Sequence, residues 1–368
     1  MRDYTRTGFE LILNEEKLRK MEPEDQILLL CTRQDFQDQH KGEVGDLIRK
    51  CSIRWNLVFS TAVKHGVLPL VYVNLFQRLG FDPDVPPRIA RVFTNYVSRY
   101  ALFEEKKAEV ISNTLRFLNS RSIRAMLVKG AALNLLVYEC PWYTNPKDAD
   151  LIVYNRRDQL AEEEIYAILN QGDDLMGFQI EYDFFEHHDI NMNGVLPVDF
   201  ERIWRDALKM LYRGQEVHVM SHEDMLISLC INSCRKRYFR LKSLCDIAET
   251  TYKLPDLKWD EFVIKARDYD CHIIVYAALI ITKLTLGCKV PEFVLEDLGV
   301  NMARRTVINH ALSSFFFPRL SFVEFPFPGK KVFGRQINLF LILPYLTYRG
   351  YQVNRKIKYV IETRGSEN

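Results

Sequence analysis

Lys129-Gly130 and, eighteen positions on, Asp148-Ala149-Asp150 are the residues of this 368-residue chain best suited to chemistry. Two carboxylates two positions apart on an extended segment project from one face, where they can share a divalent cation. A glycine that ends one apolar run and opens the next places free backbone N–H groups, and the positive end of a helix dipole, where phosphate oxygens can sit. Together they describe a seat for a metal-bound triphosphate. The chemistry expected there is in-line displacement at phosphorus: a hydroxyl attacks, pyrophosphate leaves, and cations on both sides neutralise the charge that accumulates. Asp148 and Asp150 are the predicted ligands of Mg²⁺, two ions in all, with Mn²⁺ as the alternative metal.

A third carboxylate would complete the second ion's site and accept the nucleophile's proton. Asp199, in Pro197-Val198-Asp199-Phe200, is the first choice and Glu201 the reserve. The predicted catalytic set is therefore Asp148, Asp150 and Asp199. Lys129, Gly130, Ala131 and Lys147 are the predicted nucleotide-binding residues beside the acids. In the basic run Cys234–Lys242, Arg237 and Arg240 share a helical side with Leu241 and Leu244, and could reach a pyrophosphate from across a cleft. His187 and His188 fall near the same edge, and one could face the site.

These residues need elements to hold them. Ala125-Met126-Leu127-Val128 reads as a strand and Ala131 to Leu136 as the helix after the glycine. Asp148 to Tyr154, two acids followed by an apolar, β-branched remainder, reads as a second strand, followed by a charged helix over 156–170. Two further extended runs, 178–190 and 195–204, are joined by the turn Asn191-Met192-Asn193-Gly194, so a hairpin is predicted with Asp199 on its returning arm beside the Asp148 strand. Apolar clusters at helical spacing fill 24–120, with a proline-marked break at 83–87, and helix returns from the Ser221 cap to about 314. The division predicted is a helical region over 1–120, an α/β core over 121–220, a helical domain over 221–314 and an aromatic, basic segment over 315–368.

Lys+Arg 50 against Asp+Glu 48 leaves a net charge of +2, so no global field implies a long nucleic acid. No apolar run reaches the roughly 20 residues of a membrane span. The basic, aromatic 315–368 segment could touch a membrane or a partner, or cap the core. Eight cysteines without CxxC pairs read as reduced, mostly buried thiols of a cytoplasmic protein. There is no Walker lysine loop and no kinase catalytic-loop pattern.

With those residues in view, the chain resembles the uncharacterised nucleotidyltransferase-like proteins of the DNA polymerase β nucleotidyltransferase superfamily. Trp55 with His65-Gly66-Val67-Leu68-Pro69-Leu70 looks like that family's N-terminal segment, and Leu127 to Leu133 like its glycine motif. Asp148 to Val153 is similar to its metal motif, Val198-Asp199-Phe200 to its third acidic strand, and Arg240-Leu241 with Asp246-Ile247-Ala248 to its helical domain. The resemblance implies an α+β fold, a small mixed β-sheet core of polymerase β type flanked by helical regions, and a Mg²⁺-dependent site at Asp148, Asp150 and Asp199. It implies a nucleoside triphosphate as partner, ATP first, and a small-molecule or protein acceptor. The chain departs from the pattern at Thr144 and Lys147, where members often carry an arginine and a small residue, and at Glu201 and Arg202, in place of histidine and tryptophan. An enzyme that transfers a nucleoside monophosphate and a non-catalytic module that keeps the fold to bind nucleotide or protein are the two readings that follow.

Overall fold

The architecture is built around one strand. Ala125–Val128 (β1) is buried along its whole length, because its four apolar side chains have protein on both faces. The computed structural model describes residues 21–80, 85–143, 148–154, 179–184, 186–192, 194–236, 238 and 240–311. The predicted helix over 156–170, Lys147, Arg237 and the segment 315–368 lie outside the described residues.

Among the described residues, six helical elements precede β1: α1 (Pro23–Cys31), α2 (Asp38–Lys50), α3 (Trp55–His65), α4 (Leu68–Tyr72), a π-helical turn (Val73–Arg78) and the long α5 (Pro87–Ser120). Pro86 and Pro87 start α5, at the position where a missing backbone N–H costs nothing. Gly66 ends α3 in the left-handed region at φ +70°, and a Cβ there would lie 3.1 Å from an Arg240 guanidinium nitrogen.

The helix α6 (Lys129–Leu136) follows β1 without a linker, as the apolar run broken by glycine predicts. Then come β2 (Asp148–Val153) and β3 (Gln179–Phe184). A short helix, α7 (Phe200–Asp206), leads into the hairpin β4 (Leu208–Tyr212) and β5 (Gln215–Val219). The five strands lie in the order β3-β2-β1-β5-β4. β1 pairs antiparallel with β2 and parallel with β5, and β2 pairs parallel with β3. The predicted small mixed sheet is present, with α5 packed on β5 and α6 on β1 and β2.

Part of its predicted wiring is not. Residues 178–190 and 195–204 do not form a hairpin. β3 stops at Phe184, residues 187–192 turn, and the segment with Asp199 enters α7 instead of pairing with β2. Pro197 has no N–H for a ladder, and the Asp199 carboxylate accepts the Arg202 N–H at 3.0 Å, which starts a helix whose Phe200, Ile203 and Trp204 are buried at helical spacing. Glu201 is therefore in the first turn of α7, not on a strand face.

After β5 the described residues, up to 311, are helical: α8 (His222–Arg235), α9 (Leu241–Lys253), α10 (Trp259–Asp268), α11 (His272–Thr285), α12 (Glu292–Asp297) and α13 (Met302–Ala311). The predicted Ser221 cap starts α8, its hydroxyl accepting from the Asp224 N–H at 3.2 Å. Helices α8 to α11 pack together around a buried polar knot: Lys265 Nζ donates to Asp224 at 2.6 Å, and the Tyr269 hydroxyl donates to the other Asp224 oxygen at 3.1 Å. Arg202 ion-pairs with Glu261 and Asp268, fastening α7 to α10. Cys31, Cys230, Cys234, Cys245 and Cys271 are buried free thiols, as expected of small apolar side chains. No helix among the described residues is long and apolar enough to cross a membrane.

Candidate metal and nucleotide site

The β1–β2 register sets Asp150 opposite Val128, the last residue before the turn into α6. The next residue, Lys129, takes a left-handed backbone at φ +51°, and its side chain reaches Asp150. Its Nζ stands 2.5 Å from Asp150 Oδ1 and 2.6 Å from Asp189 Oδ2, so one ammonium bridges two carboxylates that are 39 positions apart in sequence. Arg235, the last residue of α8, pairs with the other Asp189 oxygen.

Asp189 is held by a tight turn. Ile190 and Asn191 donate backbone N–H bonds to the His187 carbonyl at 3.0 and 3.2 Å, and the Asn191 side-chain carbonyl accepts the Gly194 N–H at 2.9 Å. The same turn buries His187, whose Nδ1 lies 3.4 Å from the Asp189 N–H and whose Nε2 is 3.8 Å from Asp150 Oδ1. One ligand atom from each of Asp150, His187 and Asp189 falls within 4.8 Å of the others. Two hard carboxylates and an imidazole fit a divalent ion.

Burial pushes the Asp189 carboxyl up, but the hydrogen bond and charge of Lys129, then those of Arg235, outweigh it and bring it down to about 2. Burial would also push the Lys129 ammonium down, and the Asp150 charge together with the bonds to both carboxylates holds it above the ordinary lysine value. These groups are therefore fixed as ions at neutral pH.

Of the predicted residues, the structure brings together Lys129, the start of α6 at Gly130 and Ala131, and Asp150. Asp148 opens β2, two positions from Asp150 on the same strand. Asp199 is placed as the cap of α7. Arg240 is the cap residue of α9, packed over Gly66, beside a backbone bond in which His65 Nδ1 accepts from the Leu241 N–H at 3.2 Å. Between α8 and α9 stands Lys236, brought down to about 8 first by burial and then by the charges of Arg240, Lys242 and Lys129. A positive patch thus adjoins the carboxylates, but the basic run is not the single helix predicted: α8 ends at Arg235 and α9 begins at Leu241, with Arg240 extended at its cap, so Arg240 and Leu241 share no helical side. Asp189 had no signal of its own in the sequence, and Arg235 only its place in the basic run. Asp189 lies in a turn, and only the packing of that turn against α8 and β2 puts it in the site.

The model of a family described as "Uncharacterised nucleotidyltransferase" matches residues 52–287, well over half of the chain. That span contains α3, the whole sheet, Asp150, His187, Asp189 and the patch at Lys236. No curated protein and no solved structure matches the chain.

Proposed function

We propose a function from one premise: this chain belongs to the uncharacterised nucleotidyltransferase family, and its general chemistry is nucleotidyl transfer. In our reading it moves a nucleoside monophosphate from a nucleoside triphosphate, ATP first, to a hydroxyl of a small molecule or protein, and releases pyrophosphate. The observation that carries this is the convergence of Asp150, His187 and Asp189 beside the β1-to-α6 elbow.

Asp150, His187 and Asp189 would hold Mg²⁺ or Mn²⁺, with Asp148 and Asp199 proposed to complete the acid set. The bound ion would polarise the phosphoryl oxygens and offset the charge of the leaving pyrophosphate. Gly130 and Ala131 would present backbone N–H groups to phosphate at the start of α6. Lys236 and Arg240 would draw the triphosphate tail to the α8–α9 side of the cleft, which aims the α-phosphorus at the acids. Asp199 would take the proton of the attacking hydroxyl. Lys147 and Arg237 stay in the proposed nucleotide set on their place in the sequence.

A non-catalytic nucleotide- or protein-binding module is the second reading, favoured by the cations already paired with both carboxylates. Calorimetric titration of the four triphosphates with and without Mg²⁺, on wild type and on the double variant Asp148→Asn/Asp150→Asn, separates the two. Magnesium-dependent binding lost in the variant is expected. Binding indifferent to Mg²⁺, with no pyrophosphate released over an acceptor panel, would favour the module.

A further inference from the structure

We infer that the Lys129 ammonium is a resident cation of the carboxylate cluster, filling the place between Asp150 and Asp189 that a divalent ion would otherwise share, so that the site takes one ion at most. The inference deepens the nucleotidyltransferase reading and rests on it for the identity of the cluster. It stands on three observations.

The first is geometry. Lys129 Nζ contacts one oxygen of Asp150 and one of Asp189, 2.5 and 2.6 Å away, which is the bridging position that a metal shared by two carboxylates occupies. The second is charge. Asp150 and Asp189 carry two negative charges, and Lys129 and Arg235 already match them, so these two carboxylates have no surplus of their own to draw two divalent ions. The third is backbone. Lys129 sits at φ +51°, a conformation that glycine adopts freely and a lysine pays about 1 kcal/mol or more to hold. A side chain kept at that position contributes something a glycine would not, and what it contributes here is a cation tethered to the first turn of α6. The tether also explains how a single ion could suffice: the second positive charge is supplied by the chain itself, at a fixed place, at any metal concentration.

The test counts ions on the full chain. Mn²⁺ bound per chain is read from the loss of the free-ion paramagnetic resonance signal, with and without saturating α,β-methylene-ATP, for wild type and for Lys129→Met, Lys129→Gln and Lys129→Arg. Wild type and Lys129→Arg are expected to bind one ion. The two neutral variants are expected to bind a second ion, or to bind the first roughly tenfold tighter or more, because a positive charge beside the carboxylates is gone. Two ions in wild type would overturn the inference, and that count needs no variant to fold. Neutral variants that melt normally yet bind Mn²⁺ as wild type does would overturn it as well. If no form binds α,β-methylene-ATP but the neutral variants still gain Mn²⁺ affinity, the nucleotidyl-transfer reading falls and the resident cation stands.

Discussion

Lys236 is a lysine made weakly basic by its neighbours. Burial lowers it most, Arg240, Lys242 and Lys129 lower it further, and Asp246 only partly restores it, for a net shift from 10.5 to about 8. Two consequences follow from the sign. As pH rises through about 8 the free protein loses this proton and the patch loses one charge, so inorganic pyrophosphate should bind progressively more weakly. Calorimetry at pH 7 and pH 9 should find that weakening in wild type and a flatter profile in Lys236→Met. Between about 8 and 10.5 the unfolded chain holds a proton that the folded chain does not, so stability should rise with pH across that window in wild type and less so in the variant, measured by urea unfolding. A profile that is the same in both proteins would remove Lys236 from the patch.

At the scale of elements, α7 carries a question that one substitution can answer. Asparagine caps a helix about as well as aspartate, whereas alanine costs about 1 kcal/mol. Asp199→Asn is therefore expected to melt like wild type, and Asp199→Ala lower. If Asp199 also serves the acid set, Asp199→Asn should lose about 10²-fold or more in transfer rate, the scale of a missing general base. Transfer at the wild-type rate would leave Asp199 a cap and nothing else. The same helix marks where the sequence was hard to read. Val195-Leu196-Pro197-Val198 looks extended, and its only helical signal is an aspartate three positions before the N–H that it accepts. By contrast β1, α6 and β2 were legible because their apolar residues and Gly130 leave one reading each. The β4–β5 hairpin is hard to read in the sequence because the apolar Leu208 and Leu211 are exposed and blur the alternation, although Arg213-Gly214, both at positive φ, form its turn. Asp189 was beyond reach, since it sits in no local pattern that speaks of a site, and Arg235 belongs to the basic run but meets Asp189 only through the packing of the end of α8.

Across the whole molecule, Gln34 joins what the chain keeps far apart. Its amide donates to Glu249 at 2.9 Å and to the Val137 carbonyl at 3.1 Å, its carbonyl accepts the Glu139 N–H at 2.9 Å, and its backbone N–H donates to Glu249 at 2.8 Å. These bonds tie the loop after α1 to the end of α6 and to α9, and all but the half-buried one from Glu139 are buried. Gln34→Ala should lower stability by about 2 kcal/mol or more in urea, because Glu249 and Val137 each lose a buried side-chain partner while only the backbone bond to Glu249 remains. A loss under 1 kcal/mol, on the order of a single exposed hydrogen bond, would mean that water replaces the amide. The buried thiols give the same packing a clock. Burial pushes Cys31, Cys230, Cys245 and Cys271 far up and Cys234 to about 11, so none offers a thiolate while its helix stays closed. In a solution of alkylating reagent their consumption is then timed by how often each helix lets solvent in. Cys31 in α1 keeps time for the N-terminal helices, and Cys230 and Cys245 keep it for α8 and α9, the helices on either side of Lys236.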